Sequence, residues 1–217
     1  MKSIADEGGT RISTGDKKRK GLVAIPSRRF GPAPRFARFH VWKALWLIGH
    51  RSPIGRQRLT ALLGVGEGSV RTIVNFLMAD GLVAADEAGM RLTVEGKRRV
   101  GQAGFSVATV NARGLCVGEC DVAVLVPGKA GKVRDGLRQR DEAVKAGAAG
   151  ATTLVFRNGR ILMPPETDLD AAYPELARQV RAAFGLRDGD VVVIGSASDV
   201  RAAEDGALAA AVDIMED

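Results

Sequence analysis

An α+β head built of helices and one hairpin, followed by a layered α/β domain, is what the sequence predicts. Two patterns and one imbalance of charge lead there. Before residue 104, apolar residues recur at helical spacing in successive stretches and then fall into two short strands; beyond it, strand-like runs interleave with helical ones. Residues 1–104 hold 19 Lys/Arg against 8 Asp/Glu, whereas residues 105–217 hold 13 against 17, within a net charge of +7. A basic head beside a slightly acidic second half fits a protein of which one half meets a polyanion. Lys and Arg that displace counterions supply most non-specific nucleic-acid affinity.

The composition, 46% hydrophobic and 26% charged, is that of a globular protein, and no apolar run approaches the roughly 18 residues of a membrane span. Met1-Lys2-Ser3-Ile4 opens no apolar secretory core, so a cytoplasmic location is expected. A length of 217 residues suggests two compact units. We expect a mobile basic tail over 1–30, a head over 31–104, and a dimerisation or ligand-sensing domain over 105–217. Cys116 and Cys120, the only cysteines, lack the further ligands of a zinc site. His40 and His50 fall at opposite ends of one helix, and no metal or cofactor is expected.

Along the head, Lys17-Lys18-Arg19-Lys20 lies in a polar, Gly- and Ser-rich stretch with little to bury. It reads either as an arm that reaches a DNA groove or as a tail with no part in recognition. Phe39, Trp42, Leu45, Trp46 and Gly49 mark one face of a first helix over 36–50. Ser52-Pro53 reads as the cap and first position of a second, with Leu59, Leu62 and Leu63 as its buried edge and Gly64 as its end. A third helix over 67–79 buries Val70, Ile73, Val74 and Leu77 at i, i+3, i+4, i+7. Residues 82–85 and 90–93 form a hairpin around Asp86-Glu87-Ala88-Gly89, and Thr93 caps a fourth helix carrying Lys97, Arg98 and Arg99.

Helix, helix, turn, helix, hairpin, helix is the order of a winged helix-turn-helix. The run from Gly55-Arg56-Gln57-Arg58-Leu59 through Gly66-Glu67-Gly68-Ser69-Val70-Arg71-Thr72, with Leu92-Thr93-Val94-Glu95-Gly96 at the wing, resembles archaeal predicted transcriptional regulators with such a head. Arg140-Asp141-Glu142-Ala143 and residues 147–153 resemble the uncharacterised α/β domain that follows it there. The resemblance implies double-stranded DNA as partner and no known activity for the second domain. On the third helix the face opposite the buried one carries Arg71, Thr72 and Asn75. Arg71 suits a bidentate contact to guanine and Asn75 one to adenine, while Ser69 and Thr72 suit phosphate or a thymine methyl. Arg56, Arg58 and the wing's Arg91 are expected on phosphates, as are residues 97–99 if the fourth helix lies beside the duplex.

Strands are expected over 121–126, 152–156, 160–163 and 190–194, with Asn158-Gly159 as a hairpin turn and helices over 137–148, 173–184 and 199–215. Gly64-Val65-Gly66-Glu67-Gly68 follows a helix rather than a strand, which rules out a dinucleotide fingerprint. Gly128-Lys129-Ala130-Gly131-Lys132 has the wrong glycine spacing for a phosphate-binding loop, and Val133 stands where a Ser or Thr is needed. Gly195, Ser196, Ala197 and Ser198 follow a strand at a helix start, where free amides favour an anion. With Lys132, Arg134, Arg138 and Arg140 in the same domain, they suggest a small anionic metabolite as ligand. The whole reads as a DNA-binding regulator and homodimer, not an enzyme. The alternative is a catalytic second domain using Arg138, Arg140, Asp141 and Glu142, under a head that regulates its own pathway; the same spacing also makes plain intrahelical ion pairs.

Overall fold

The computed structural model of the protein describes residues 35–216. The expected tail, with Lys17 to Lys20, lies outside the described residues. The head is built from α1 (Arg38–His50), α2 (Arg56–Leu63), α3 (Glu67–Ala79), the hairpin β1 (Val83–Asp86) and β2 (Gly89–Leu92), and α4 (Val94–Ala103). Among the described residues no helix is long and apolar enough to cross a membrane.

Helix α1 is buried nearly all round. Besides Phe39, Trp42 and Leu45, it buries Val41, Ala44, Leu47 and Ile48 on the other side. A helix without a polar face is enclosed on both sides, here by the rest of the head and by the last helix of the chain. At its start the His40 Nδ1 accepts a hydrogen bond from the Ala37 amide at 3.0 Å. Burial, aided by nearby Lys43, lowers the His40 pKa to about 4, so the ring is neutral at ordinary pH.

The start of α2 departs from expectation. Ser52-Pro53 does not open the helix; α2 begins at Arg56 after an extended Gly55. Ile54 has been drawn into the wing instead. Its amide donates to the Met90 carbonyl at 3.2 Å, and the Met90 amide donates back to the Ile54 carbonyl at 2.9 Å. Gly89 permits this approach, with φ +127 and space in which a Cβ would meet the Ile54 oxygen at 2.9 Å. The hairpin closes as read: the Thr93 hydroxyl accepts from the Gly96 amide at 3.0 Å and donates to the Gly81 carbonyl at 2.7 Å.

The second part comprises β3 (Ser106–Val110), β4 (Cys120–Val126), α5 (Leu137–Lys145), β5 (Gly150–Arg157), β6 (Arg160–Met163), β7 (Thr167–Asp168), α6 (Leu169–Ala172), α7 (Pro174–Ala183), β8 (Val191–Ala197) and α8 (Val200–Glu216). Its six strands form one sheet in the order β3-β4-β8-β5-β6-β7, and every neighbouring pair is antiparallel. Alternation along β8 divides the layers. Val191 and Val193 join a cluster with Ala207 and Leu208 of α8, whereas Val192 and Ile194 join one with Leu176 and Val180 of α7. At the β5–β6 turn Asn158 and Gly159 take φ 51 and 75, as the Asn-Gly signal requires. The strand expected to stop at Ile194 continues to Ala197.

One seam joins α1 to α8. The Lys43 side chain is 3% exposed, and its Nζ lies 2.6 Å from Asp205 Oδ1 and 2.9 Å from Glu204 Oε1. Burial pushes the Asp205 carboxyl above the usual range, and Lys43 opposes that shift. Trp42 meets Phe105 edge-on with centroids 5.4 Å apart, and Arg38 pairs with Glu216. Removing only the cation strands two carboxylates in this seam. Lys43→Ala is expected to cost about 3 to 5 kcal/mol in urea unfolding, and Lys43→Met combined with Glu204→Gln and Asp205→Leu markedly less. A single-variant cost under about 1 kcal/mol would place the seam among weak surface pairs.

Candidate nucleic-acid interface

Helix α3 stands on a buried stripe of Val70, Ile73, Val74 and Leu77, held against Leu59 and Leu63 of α2. The tight link between the two helices uses Gly64, whose left-handed φ of 68 ends α2. With that stripe fixed, Arg71 and Asn75 are exposed, and neither has an intramolecular partner among the described residues. Ser69 and Thr72 are half-buried. The Thr72 hydroxyl donates back to the Gly68 carbonyl at 3.0 Å, which leaves its methyl as the more available group.

Arg56 and Arg58 of α2 are exposed and make no ion pair among the described residues. The wing differs. Arg91 pairs with one oxygen of Asp86, whose other oxygen accepts from the Ala88 amide at 2.9 Å and the Gly89 amide at 3.1 Å. One carboxylate therefore both shapes the turn and neutralises the basic residue expected on phosphate. On α4, Arg98 pairs with Glu95, and Arg99 lies 3.6 Å from the same carboxylate. Hydrogen bonding from Arg98 holds the Glu95 carboxyl below the usual range. The sequence reading missed both pairings. Glu95 at i−3 and i−4 from two arginines was the available signal for the second.

The expected anion turn in the second domain is laid out differently. Gly195, Ser196 and Ala197 are buried in central β8, and only Ser198 is exposed. Helix α8 lies directly on Gly195, where a Cβ would stand 2.2 Å from the Ala203 carbonyl oxygen. The Ser196 hydroxyl donates to Asp121 Oδ1 at 2.6 Å and accepts from the Gly118 amide at 2.8 Å. Asp199 fills the helix start, accepting from the Ala202 amide at 3.0 Å. The argument from the ends of parallel strands does not transfer to an antiparallel sheet, and no cradle of free amides forms there. Arg138 pairs with Asp213 and Glu142 with Lys145; Arg140, Asp141, Lys132 and Arg134 are exposed.

This arrangement belongs to the class of winged-helix DNA-binding domains followed by an α/β domain. Residues 37–103 match the model of the CggR N-terminal DNA binding domain, and residues 117–214 match a domain of unknown function (DUF4443). Among solved structures, a hypothetical protein from Pyrococcus horikoshii OT3 is similar at 27% identity and a TM-score of 0.64, over 83% of this chain and 91% of that one. No curated protein matches. The chain thus carries an N-terminal DNA-binding domain in a regulator-like architecture.

The wing pair supplies a prediction. Asp86→Asn keeps an acceptor for the turn amides while releasing Arg91 and removing one negative charge. Binding to random duplex DNA is expected to tighten, with the salt slope steepening by about 1. Fluorescence anisotropy at several salt concentrations measures both, and an unchanged slope would mean that the wing lies away from phosphate.

Proposed function

We propose that the protein is a sequence-specific DNA-binding transcriptional regulator that reads the major groove with the exposed face of α3. The observation that carries this reading is that α3 buries one stripe completely and leaves Arg71 and Asn75 exposed and, among the described residues, unpartnered, within residues that match a DNA-binding domain. Long side chains with two donors, or a donor and an acceptor, are what base edges in that groove require. Arg56 and Arg58 on the preceding helix supply phosphate contacts that fix register. The hypothetical protein from Pyrococcus horikoshii OT3 shares this build over 83% of the chain.

Two heads of a homodimer would place their α3 helices about 34 Å apart, one turn of duplex, on a palindromic site. The second domain, in this reading, pairs the copies or answers a small anionic ligand and does not catalyse a reaction.

The test separates reading from anchoring. A bound sequence is first selected from random duplexes. Arg71→Ala is then expected to cost about 1 to 3 kcal/mol on that sequence and to leave random duplex nearly untouched. Arg56→Ala should weaken both alike. Equal losses from the two substitutions on both DNAs would reassign Arg71 to the backbone, and failure to bind any duplex at low salt would overturn the function.

A further inference from the structure

A cleft of about 200 Å³ opens between the loop after β3, the start of β5 and helix α5. Its floor includes Ser196, and its walls include Leu115, Val117 and Ala151. The Cys116 Sγ lies 3.5 Å from the Thr152 Oγ1 inside it. At the mouth stands Arg140.

The polar groups divide into those already satisfied and those still open. Ser196 is engaged with Asp121 and the Gly118 amide, and the second Asp121 oxygen accepts from the Ala112 amide at 2.9 Å. The floor therefore has little left to offer. Open capacity remains at the Thr152 hydroxyl, the Cys116 thiol and the Arg140 guanidinium. Along α5 the other basic side chains are neutralised, Arg138 by Asp213 and Lys145 by Glu142, whereas Arg140 makes no ion pair among the described residues. Val117, on the wall, is 80% exposed, so its side chain is accessible from the cleft.

These features set the ligand's chemistry. One cation at the mouth suits a single negative charge; a phosphate dianion would call for more. Buried Asp121 lies beneath the floor, so the charge belongs at Arg140, away from it, and the uncharged end against Leu115 and Val117. Burial raises the Cys116 thiol pKa, with the Thr152 hydrogen bond opposing, so the thiol is protonated at neutral pH and does not repel an anion. At about 30 Å³ per water-sized group, the cleft takes roughly six or seven non-hydrogen atoms.

We propose that this cleft binds a short-chain monocarboxylate, its carboxylate on Arg140 and its apolar end between Leu115 and Val117, with Thr152 and Cys116 as the inner polar contacts. This site replaces the turn at Gly195 as the place where the second domain meets a small anion, and it holds whether or not the head binds DNA.

Cys116 reports occupancy directly. The protein is alkylated with N-ethylmaleimide in the presence of sodium acetate, butyrate or hexanoate, and labelling of Cys116 and Cys120 is followed by peptide mass. Butyrate at about ten times its Kd is expected to slow Cys116 labelling roughly tenfold while leaving Cys120 unchanged. Arg140→Ala should abolish the protection, and Arg140→Lys should retain part of it. Equal labelling with and without every carboxylate, or protection that survives in Arg140→Ala, overturns the site. Should Cys116 resist alkylation altogether, melting temperatures decide: a rise with butyrate in the wild type but not in Arg140→Ala supports the site, and its absence overturns it. Protection in a protein that binds no duplex would keep the cleft and reject the regulator; duplex binding without protection would do the reverse.

Discussion

Lys43 is the charge on which the arrangement of this chain turns. An ammonium with 3% exposure survives in an apolar helix because two carboxylates reach it from α8, at 2.6 and 2.9 Å. The surrounding packing is continuous across the seam. One cluster of buried side chains runs from Phe39, Leu59 and Val74 in the head to Val193, Ala207 and Ile214 in the second part. The described parts of the head and of the second domain therefore share a core. Close packing of the aliphatic side chains and a buried ion pair that must find its partners both restrict the register of this seam. Lys43 with Glu204 and Asp205 ties α1 to α8, and so the head to the sheet that α8 covers.

Around that fixed core the exposed charges fall into two sets. Arg91, Arg98 and Arg99 are neutralised within the wing and α4, while Arg56, Arg58 and Arg71 make no ion pair among the described residues. Exposed pairs of this kind contribute at most about 1 kcal/mol, so phosphates can compete for their cations. The distinction bears on specificity. In the proposed reading, an arginine held by a neighbouring carboxylate would exchange it for phosphate anywhere along a duplex, whereas Arg71, without a partner among the described residues, would gain most where a base edge matches its fork.

What the sequence revealed was what local spacing determines. The buried stripe of α3, the Thr93 cap and the Asn158-Gly159 turn each depend on residues within a few positions, and each reads directly from the chain. What it concealed depends on distant partners. Ile54 looked like the start of a helix because Ser52-Pro53 stands before it, and only Met90, far along the chain, makes it part of the wing. Gly195 looked like a turn because small residues end strands; its lack of a side chain instead lets α8 lie against the sheet. Lys43 carried no signal by itself, since its partners lie more than 160 positions away. The second face of α1 was nonetheless visible in Val41, Ala44, Leu47 and Ile48, a helix too apolar to have a solvent side.

The strand misread as ending early is the element that links the two ends of the molecule. Ser196 lies in the floor of the cleft, and three positions on Asp199 caps α8. Two residues into that helix, the Arg201 guanidinium packs over Gly64, where a Cβ would meet it at 3.0 Å. Gly64 is the left-handed residue that sets the angle between α2 and α3. One short span thus touches a cavity, a helix start and the turn of the DNA-binding motif, and further along the same helix Glu204 and Asp205 clasp Lys43. The cleft floor, the helix start and the turn before α3 thus meet along one closely packed element, with α8 lying directly on Gly195 and Arg201 on Gly64.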